Sequence, residues 1–426
     1  MSLDKEKYQG YIDILKQELV PALGCTEPIA IAYAAAKSRE VLGNFPDKIV
    51  IKCSGNIIKN AKSVIVPNTG NLKGIKASVY AGLIVGDSSK EMQLLNDLTD
   101  SDIEKIKELM NTDMCEIEMI EKDANLHIIV EAKYKDEYSF IEIVHTHVNI
   151  TKIEKNGEVL FEKPYNKDNF NESLSDRNIL NVKDIHEFAN TVKLEDVKEF
   201  LDNQIEYNLA IANEGLKSNY GINIGNMLME CFGDTIITKV RAYAAAGSEA
   251  RMGGCSLPVV TNSGSGNQGM ATSLPVIIYS QEKGYDKEKM YRALVLANLI
   301  TIHQKTNLGR LSAYCGAVNA ACGSGAGLTY LENGSLEQIE KTITNTLANV
   351  SGIVCDGAKA SCAAKIASSV DAAIMAHFLA MKGNAYEAET GIVKETVENT
   401  ISAMGRLGRE GMKETDVEIL KIMLNQ

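Results

Sequence analysis

An α+β fold is predicted for this chain of 426 residues, a mixed α/β N-terminal part followed by a mostly α-helical C-terminal part. Three observations predict it. Residues 48–54 and 115–161 alternate apolar and polar as strands do, and residues beyond 204 carry apolar side chains at helical spacing. Between them, residues 162–204 are polar and charge-rich. The break predicts one α+β domain over 1–204 and a mainly helical one over 205–426.

Taken in order, Ile14 to about Arg39 reads as two helices parted by Pro21 to Pro28. The first ends near Val20 and the second opens at Ile29-Ala-Ile-Ala-Tyr-Ala-Ala-Ala. Lys48-Ile-Val-Ile-Lys-Cys-Ser alternates as a strand, Ser63-Val-Ile-Val-Pro adds β-branched residues, and Asn68-Thr-Gly-Asn supplies turn chemistry. CEIEMIE, LHIIVEAKY and SFIEIVHTHVNITKIE read as further strands, with a hairpin at Asn156-Gly157 leading into EVLFE. NKDNFNESLSDRN is the best linker candidate. Helical patterns follow in EYNLAIANEGLKSN, KVRAYAAAGSEARM, KEKMYRALVLANLITIHQKT, LEQIEKTITNTLANVSGIV and CAAKIASSVDAAIMAHFLAMKG. Residues 241–280 hold only Arg241, Glu249 and Arg251 as charges, and residues 306–330 only Arg310. These glycine-rich stretches are expected as buried loops, whose backbone polar groups need partners and so tend to wrap a ligand.

A formal charge of −12 without a local basic patch argues against nucleic acid and anionic membranes as partners, leaving a small molecule. Apolar runs such as Ala293 to Ile302 fall short of the roughly 18 residues that span a bilayer. Nine cysteines are too sparse for a disulfide scaffold, and the polar opening MSLDKEKYQG lacks the pattern of a signal peptide, so a cytoplasmic location with reduced thiols is expected. A homo-oligomer is compatible with all of this.

Chemistry concentrates at three places. Cys255, Cys315, Cys322, Cys355 and Cys362 crowd into about a hundred residues. Cys315, Cys355 and Cys362 lie among Gly316, Gly357, Ala360, Ser361 and Ala363, small residues that would let backbone approach a bulky iron-sulfur cluster. Buried structural thiols or a zinc site are the alternatives, zinc being disfavoured by the lack of nearby histidine. Second, Gly24-Cys25-Thr26-Glu27-Pro28 precedes an alanine-rich helix that Thr26 could cap; a thiol there is favoured as thiolate by the helix end and opposed by Glu27. Third, Thr261-Asn-Ser-Gly-Ser-Gly-Asn-Gln-Gly offers converging backbone N–H groups for a carboxylate or phosphate. It is not a P-loop or a dinucleotide fingerprint, and it resembles the Ser-Gly-Asn phosphate loop of some pyridoxal phosphate enzymes. His145 and His147 share a strand face but lack a third ligand, His303 and His377 look packed, and Lys305 or Arg310 could neutralise a substrate carboxylate.

Together GCTEPIAIAYAAA, MGGCSLPVVTNSGSGNQGMATSLPV, AYCGAVNAACGSGAG and GIVCDGAKASCAAKIASS resemble the iron-sulfur L-cysteine desulfidase family, distant relatives of the iron-sulfur L-serine dehydratases. The resemblance spans nearly the whole chain, with the motifs in the family's order. It implies a lyase of cysteine catabolism that converts L-cysteine to pyruvate, hydrogen sulfide and ammonia. It further implies a [4Fe-4S] cluster in the C-terminal domain, held by Cys315, Cys355 and Cys362 and acting as a Lewis acid, with Cys322 spare. Cys25 matches the cysteine regarded as catalytic base or additional cluster contact. Thr26, Ser263, Gly264, Ser265, Gly266, Asn267 and Gln268 are the substrate-binding candidates. The dehydratases' Ser-His-Thr loop is replaced here by Gly24-Cys25-Thr26, so their serine preference does not carry over. A serine dehydratase-like lyase on another β-substituted amino acid, a pyridoxal phosphate lyase and a non-catalytic iron-sulfur sensor remain as alternatives.

Overall fold

A computed structural model describes residues 3–120, 124–167, 175–309 and 311–425. Helix α1 (Lys5–Glu18) starts where the Asp4 side chain accepts the Lys7 amide. A short strand β1 (Pro21–Leu23) leads into α2 (Thr26–Leu42), which stops where Gly43 turns left-handed. Next come β2 (Lys48–Ser54), α3 (Gly55–Ala61), α4 (Gly74–Val85) and α5 (Asp100–Met110), the last opened by a Thr99–Asp102 capping box. Strands β3 (Cys115–Ile120), β4 (His127–Tyr134), β5 (Glu137–Val144), β6 (Ile150–Lys155) and β7 (Glu158–Glu162) complete a sheet of order β3-β2-β4-β5-β6-β7. Only its β2–β3 pair is parallel. Alternation places Ile49, Ile51 and Cys53 of β2 and Ile128, Val130 and Ala132 of β4 on the face covered by α2 and α4. The Asn156-Gly157 hairpin turn forms as expected, with positive φ at both residues.

The rest is helical: α6 (Val182–Thr191), α7 (Leu194–Lys217), α8 (Ile224–Phe232) and α9 (Ile236–Met252), then strand β8 (Pro258–Val260). After it come α10 (Gly266–Lys283), α11 (Lys287–Thr306), α12 (Gly316–Leu331), α13 (Leu336–Asn349), α14 (Ser361–Met381), α15 (Val397–Arg406) and α16 (Lys413–Leu424), with a π-turn over Leu407–Gly411. The molecule is α+β, as the periodicities predict. A second, larger core gathers α1, α6, α7 and most of the C-terminal helices. Helix α14 is long and apolar enough to cross a membrane, but Ile366, Val370 and Ala373 on it are buried in this core.

Four sequence expectations change. The glycine-rich stretches expected as loops are largely helix, α9 and α10 across 241–280 and α12 across 316–331. Their small residues serve helix contact: a Cβ on Gly323 would stand 2.2 Å from Thr301 Oγ1 and 2.5 Å from Ala297 O of α11. The polar stretch 162–204 contains α6, whose Ile185 and Phe188 are fully buried, although residues 168–174 of the proposed linker lie outside those described. The run SFIEIVHTHVNITKIE is two strands, because the chain turns at His145 (φ 68°) and Asn149 Nδ2 donates to Val144 O. Ser63 to Pro67 forms only an isolated bridge, Ile65 to Lys73.

One small element positions the site. Strand β1 pairs antiparallel with β8, Pro21 opposite Val260 and Leu23 opposite Pro258. The Thr261 amide continues the contact to Val20 O at 3.0 Å. This ribbon brings the Cys25 turn and the Ser263–Gln268 loop, more than two hundred residues apart in sequence, to one place.

Candidate functional site

The Cys25 turn depends on Gly24, whose φ is +55° and whose added Cβ would fall 2.0 Å from Pro67 Cγ. Cys25 itself is the N-cap of α2, and its side chain caps nothing; Thr26, expected as the cap, is the first helical residue. The Cys25 thiol donates to Glu27 Oε2 at 3.3 Å, the Thr26 hydroxyl donates to the same oxygen at 3.0 Å, and Asn60 Nδ2 donates to Oε1 at 3.0 Å. All four residues are buried. Burial and the Glu27 charge push the Cys25 thiol well up, against the pull of Arg251. The resting group is therefore a thiol and not the thiolate expected from a helix end. Glu27 is held below the ordinary carboxylate range: burial alone would raise it, but the charges of His147 and Arg251 prevail.

The second loop is built from positive-φ residues, Ser263 at 52° and Gly264 at 76°, closed by paired backbone bonds between Asn262 and Ser265 at 3.1 Å. Ser265 caps α10 by accepting from the Gln268 amide. Ser263, Gly264, Ser265, Asn267 and Gln268 all face one cleft, which encloses about 800 Å³ including its open mouth. Gly266 does not line it. It makes room for Arg251 instead, since a Cβ there would stand 2.5 Å from Arg251 Nε.

The three predicted cluster thiols line the same cleft, as do Cys25 and Thr26. An antiparallel bridge fixes two of them: the Cys315 amide donates to Ile353 O at 2.8 Å and the Cys355 amide to Ala313 O at 2.7 Å. Cys315 is the N-cap of α12, and Cys362 sits in the first turn of α14. Helix N-termini of α2, α10, α12 and α14 thus converge on the cleft, a region of positive potential suited to thiolates or a carboxylate. A hydrogen bond from Cys315 brings the Cys355 thiol down to about 6, helped by the charges of Lys59 and Lys365 against burial. Its partner Cys315 is raised by that same bond and by burial, and Cys362 is raised by burial. Gly357, at φ +97°, lies where a Cβ would meet Lys59 O at 2.2 Å.

This donor set fits an iron-sulfur cluster. Three thiols line one cleft beside small residues, and the Ala317 and Gly357 backbone hydrogen-bonds the Cys315 and Cys355 sulfurs, as backbone does for the sulfurs of a cluster site. Among the described residues no three His, Cys, Asp or Glu side chains converge on a single-ion position. A cluster asks for a different arrangement, one thiolate on each of several irons.

Glu27, Asn60, His147 and Arg251 also line the cleft and were not singled out as site residues by sequence reasoning. Arg251 left a faint signal, as one of three charges in a forty-residue stretch that folds into the interior. His147 parts company with His145, which bonds to Asn166 O and packs on Tyr165. Lys305 is in the cleft wall, while Arg310 lies outside the described residues. His303 bonds to Glu398 and His377 to Thr329, both packed as expected. Of the remaining cysteines, Cys53, Cys115, Cys255 and Cys322 are buried and Cys231 is exposed.

A family model described as the serine dehydratase alpha chain matches residues 88–421. Whole-length relatives carry the name UPF0597 protein. One from Lachnoclostridium phytofermentans is 54% identical over 98% of this chain and all of its own length. Another from Treponema denticola is 49% identical over the full length of both, and one from Desulfitobacterium hafniense 52% identical over 98% of this chain and 97% of the relative.

Proposed function

The chain belongs to the serine dehydratase alpha-chain family, and from that membership we propose that it is a β-eliminating lyase that converts L-cysteine to pyruvate, hydrogen sulfide and ammonia. One observation carries the reading. Cys25, the Ser263–Gln268 loop and the thiols Cys315, Cys355 and Cys362 come from four distant segments, yet all face a single cleft. A packing role for the thiols predicts no such convergence with an anion loop.

Cys315, Cys355 and Cys362 would hold a [4Fe-4S] cluster. When bound, the group supplies a Lewis-acidic iron that draws electron density from the substrate. The remaining tasks fall to the chain. Backbone N–H groups of Ser263 and Gly264 and the N-terminus of α10 bind anionic oxygen, orienting the substrate. Cys25 Sγ takes the α-proton while its own proton passes to Glu27 Oε2, already its hydrogen-bond acceptor. The C–S bond breaks, sulfide leaves, and the aminoacrylate hydrolyses to pyruvate and ammonia. The buried walls of the cleft keep water from quenching the α-carbanion.

The test is anaerobic purification with iron and sulfide analysis, followed by pyruvate assay on L-cysteine and L-serine. Cys355→Ala should lose both the brown chromophore and turnover. A Cys355→Ala protein with full activity overturns the reading, and faster release of pyruvate from L-serine would move the substrate assignment to serine.

A further inference from the structure

Arg251 occupies the cleft in an unusual state for a buried cation. Only 3% of it is exposed, its Nε donates to Gly24 O at 2.8 Å, and its Nη1 donates to Asn267 Oδ1 at 3.1 Å. Those contacts fix the plane of the guanidinium between the Cys25 turn and the Ser263–Gln268 loop. Gly266 lacks the Cβ that would displace it, standing 2.9 Å from the guanidinium carbon at that point. Its Nη2, with two N–H donors, is buried and meets no hydrogen-bond partner among the described residues. Leaving such donors unmet in the interior is costly. Gln268 Oε1, on the loop that holds Nη1, is a buried acceptor in the same condition.

A fixed planar cation with open donors and a nearby open acceptor complement a small zwitterion. We propose that Arg251 anchors the α-carboxylate of an α-amino acid, with Gln268 Oε1 accepting from its α-ammonium. The assignment rests on the amino-acid lyase reading and deepens it. It also moves carboxylate recognition away from Lys305, one of the two cations, with Arg310, that the sequence pattern offered. Arg251 would hold the substrate with its α-hydrogen toward Cys25, since Nε is bonded to the carbonyl of the residue preceding that thiol. Lysine is a poor replacement here, because a single ammonium cannot bond Gly24 O and Asn267 Oδ1 as the planar fork does and still present a fixed donor to the substrate.

The experiment uses anaerobically prepared holoprotein and three probes that cannot eliminate: L-alanine, propionate and ethylamine. Calorimetry reads their affinities, and iron content and visible absorption report that each variant keeps its site. Wild type should bind L-alanine. Arg251→Gln should weaken L-alanine and propionate about 100-fold while leaving ethylamine unchanged, and Arg251→Lys should weaken the two carboxylates about 10-fold. Gln268→Met should weaken L-alanine and ethylamine but spare propionate. An Arg251→Gln or Arg251→Lys holoprotein that binds L-alanine as wild type does overturns the anchor alone. Wild type that binds none of the three overturns the amino-acid reading and the anchor together.

Discussion

Two fields oppose each other at Cys25. The N-terminus of α2 favours a thiolate, whereas burial and the Glu27 carboxylate favour the thiol, and the second pair wins at rest. The proton is thus stored on sulfur, with its acceptor already in contact. Cys25→Ser should retain iron and lose turnover by about 10²–10⁴-fold, the usual scale for a proton-transfer group, read by pyruvate release. Glu27→Gln should retain the chromophore and lose activity on a similar scale, since the thiol keeps a hydrogen-bond partner but no proton acceptor. Cys25 was legible as a candidate because a thiol before an apolar helix stands next to the unsatisfied N–H groups of the helix end. Arg251 was hidden for a physical reason: it looks like any helix-terminal arginine until β1 and β8 pair and bring Gly24 and Asn267 to it.

Among the elements, α12 shows best why composition misled. Gly316, Gly323, Gly325 and Gly327 suggest a loop, and each helical glycine does cost about 1 kcal/mol relative to alanine. Packing against α11 and α10 offsets that cost, because a neighbouring helix comes to backbone distance where Cβ is absent. Gly323→Val should lower stability by about 3 kcal/mol through overpacking, measured by denaturant unfolding with an unchanged m-value. The long helices α11 and α14 were legible, since runs of helix-forming residues without glycine or proline extend over 20 and 21 residues. Helix α14 also carries a pH signature. Burial lowers His377 from its ordinary 6.5 to about 4, with Nδ1 beside Thr329 Oγ1 at 2.9 Å. Between those values the unfolded chain binds more protons, so no penalty exists above 6.5 and stability falls as pH drops toward 4, by about 3 kcal/mol in total. Thermal melts from pH 7 to 4 should show this slope, and His377→Gln should flatten part of it.

Across the whole molecule, two cores meet at the cleft, and α16 straps them together. Lys59 of α3 is 2% exposed at its side chain and pairs with Asp416 at 2.5 Å; Asn56 Nδ2 reaches the same carboxylate at 2.9 Å. Lys59 Nζ also lies 3.5 Å from Ser312 O, beside the Cys315 bridge. Asp416→Ala leaves a buried ammonium unpaired and should cost about 3–5 kcal/mol, whereas Asp416→Asn should cost less because it keeps an acceptor. Chemical denaturation compares the two. The α+β class was legible from two periodicities, but the strap was not, because α16 has a weak apolar stripe and its partners lie near residue 59.

The β1–β8 ribbon joins Pro21–Leu23 to Pro258–Val260, and the thiols it helps to enclose lie further along still. Contacts between such distant segments form late in folding, after loop closure over hundreds of residues has been achieved. The order of manufacture follows. The chain must reach its native topology before the thiols can act as one site, so an inorganic group held by them would be received by a finished fold and would not nucleate it, unlike the metal of a zinc finger.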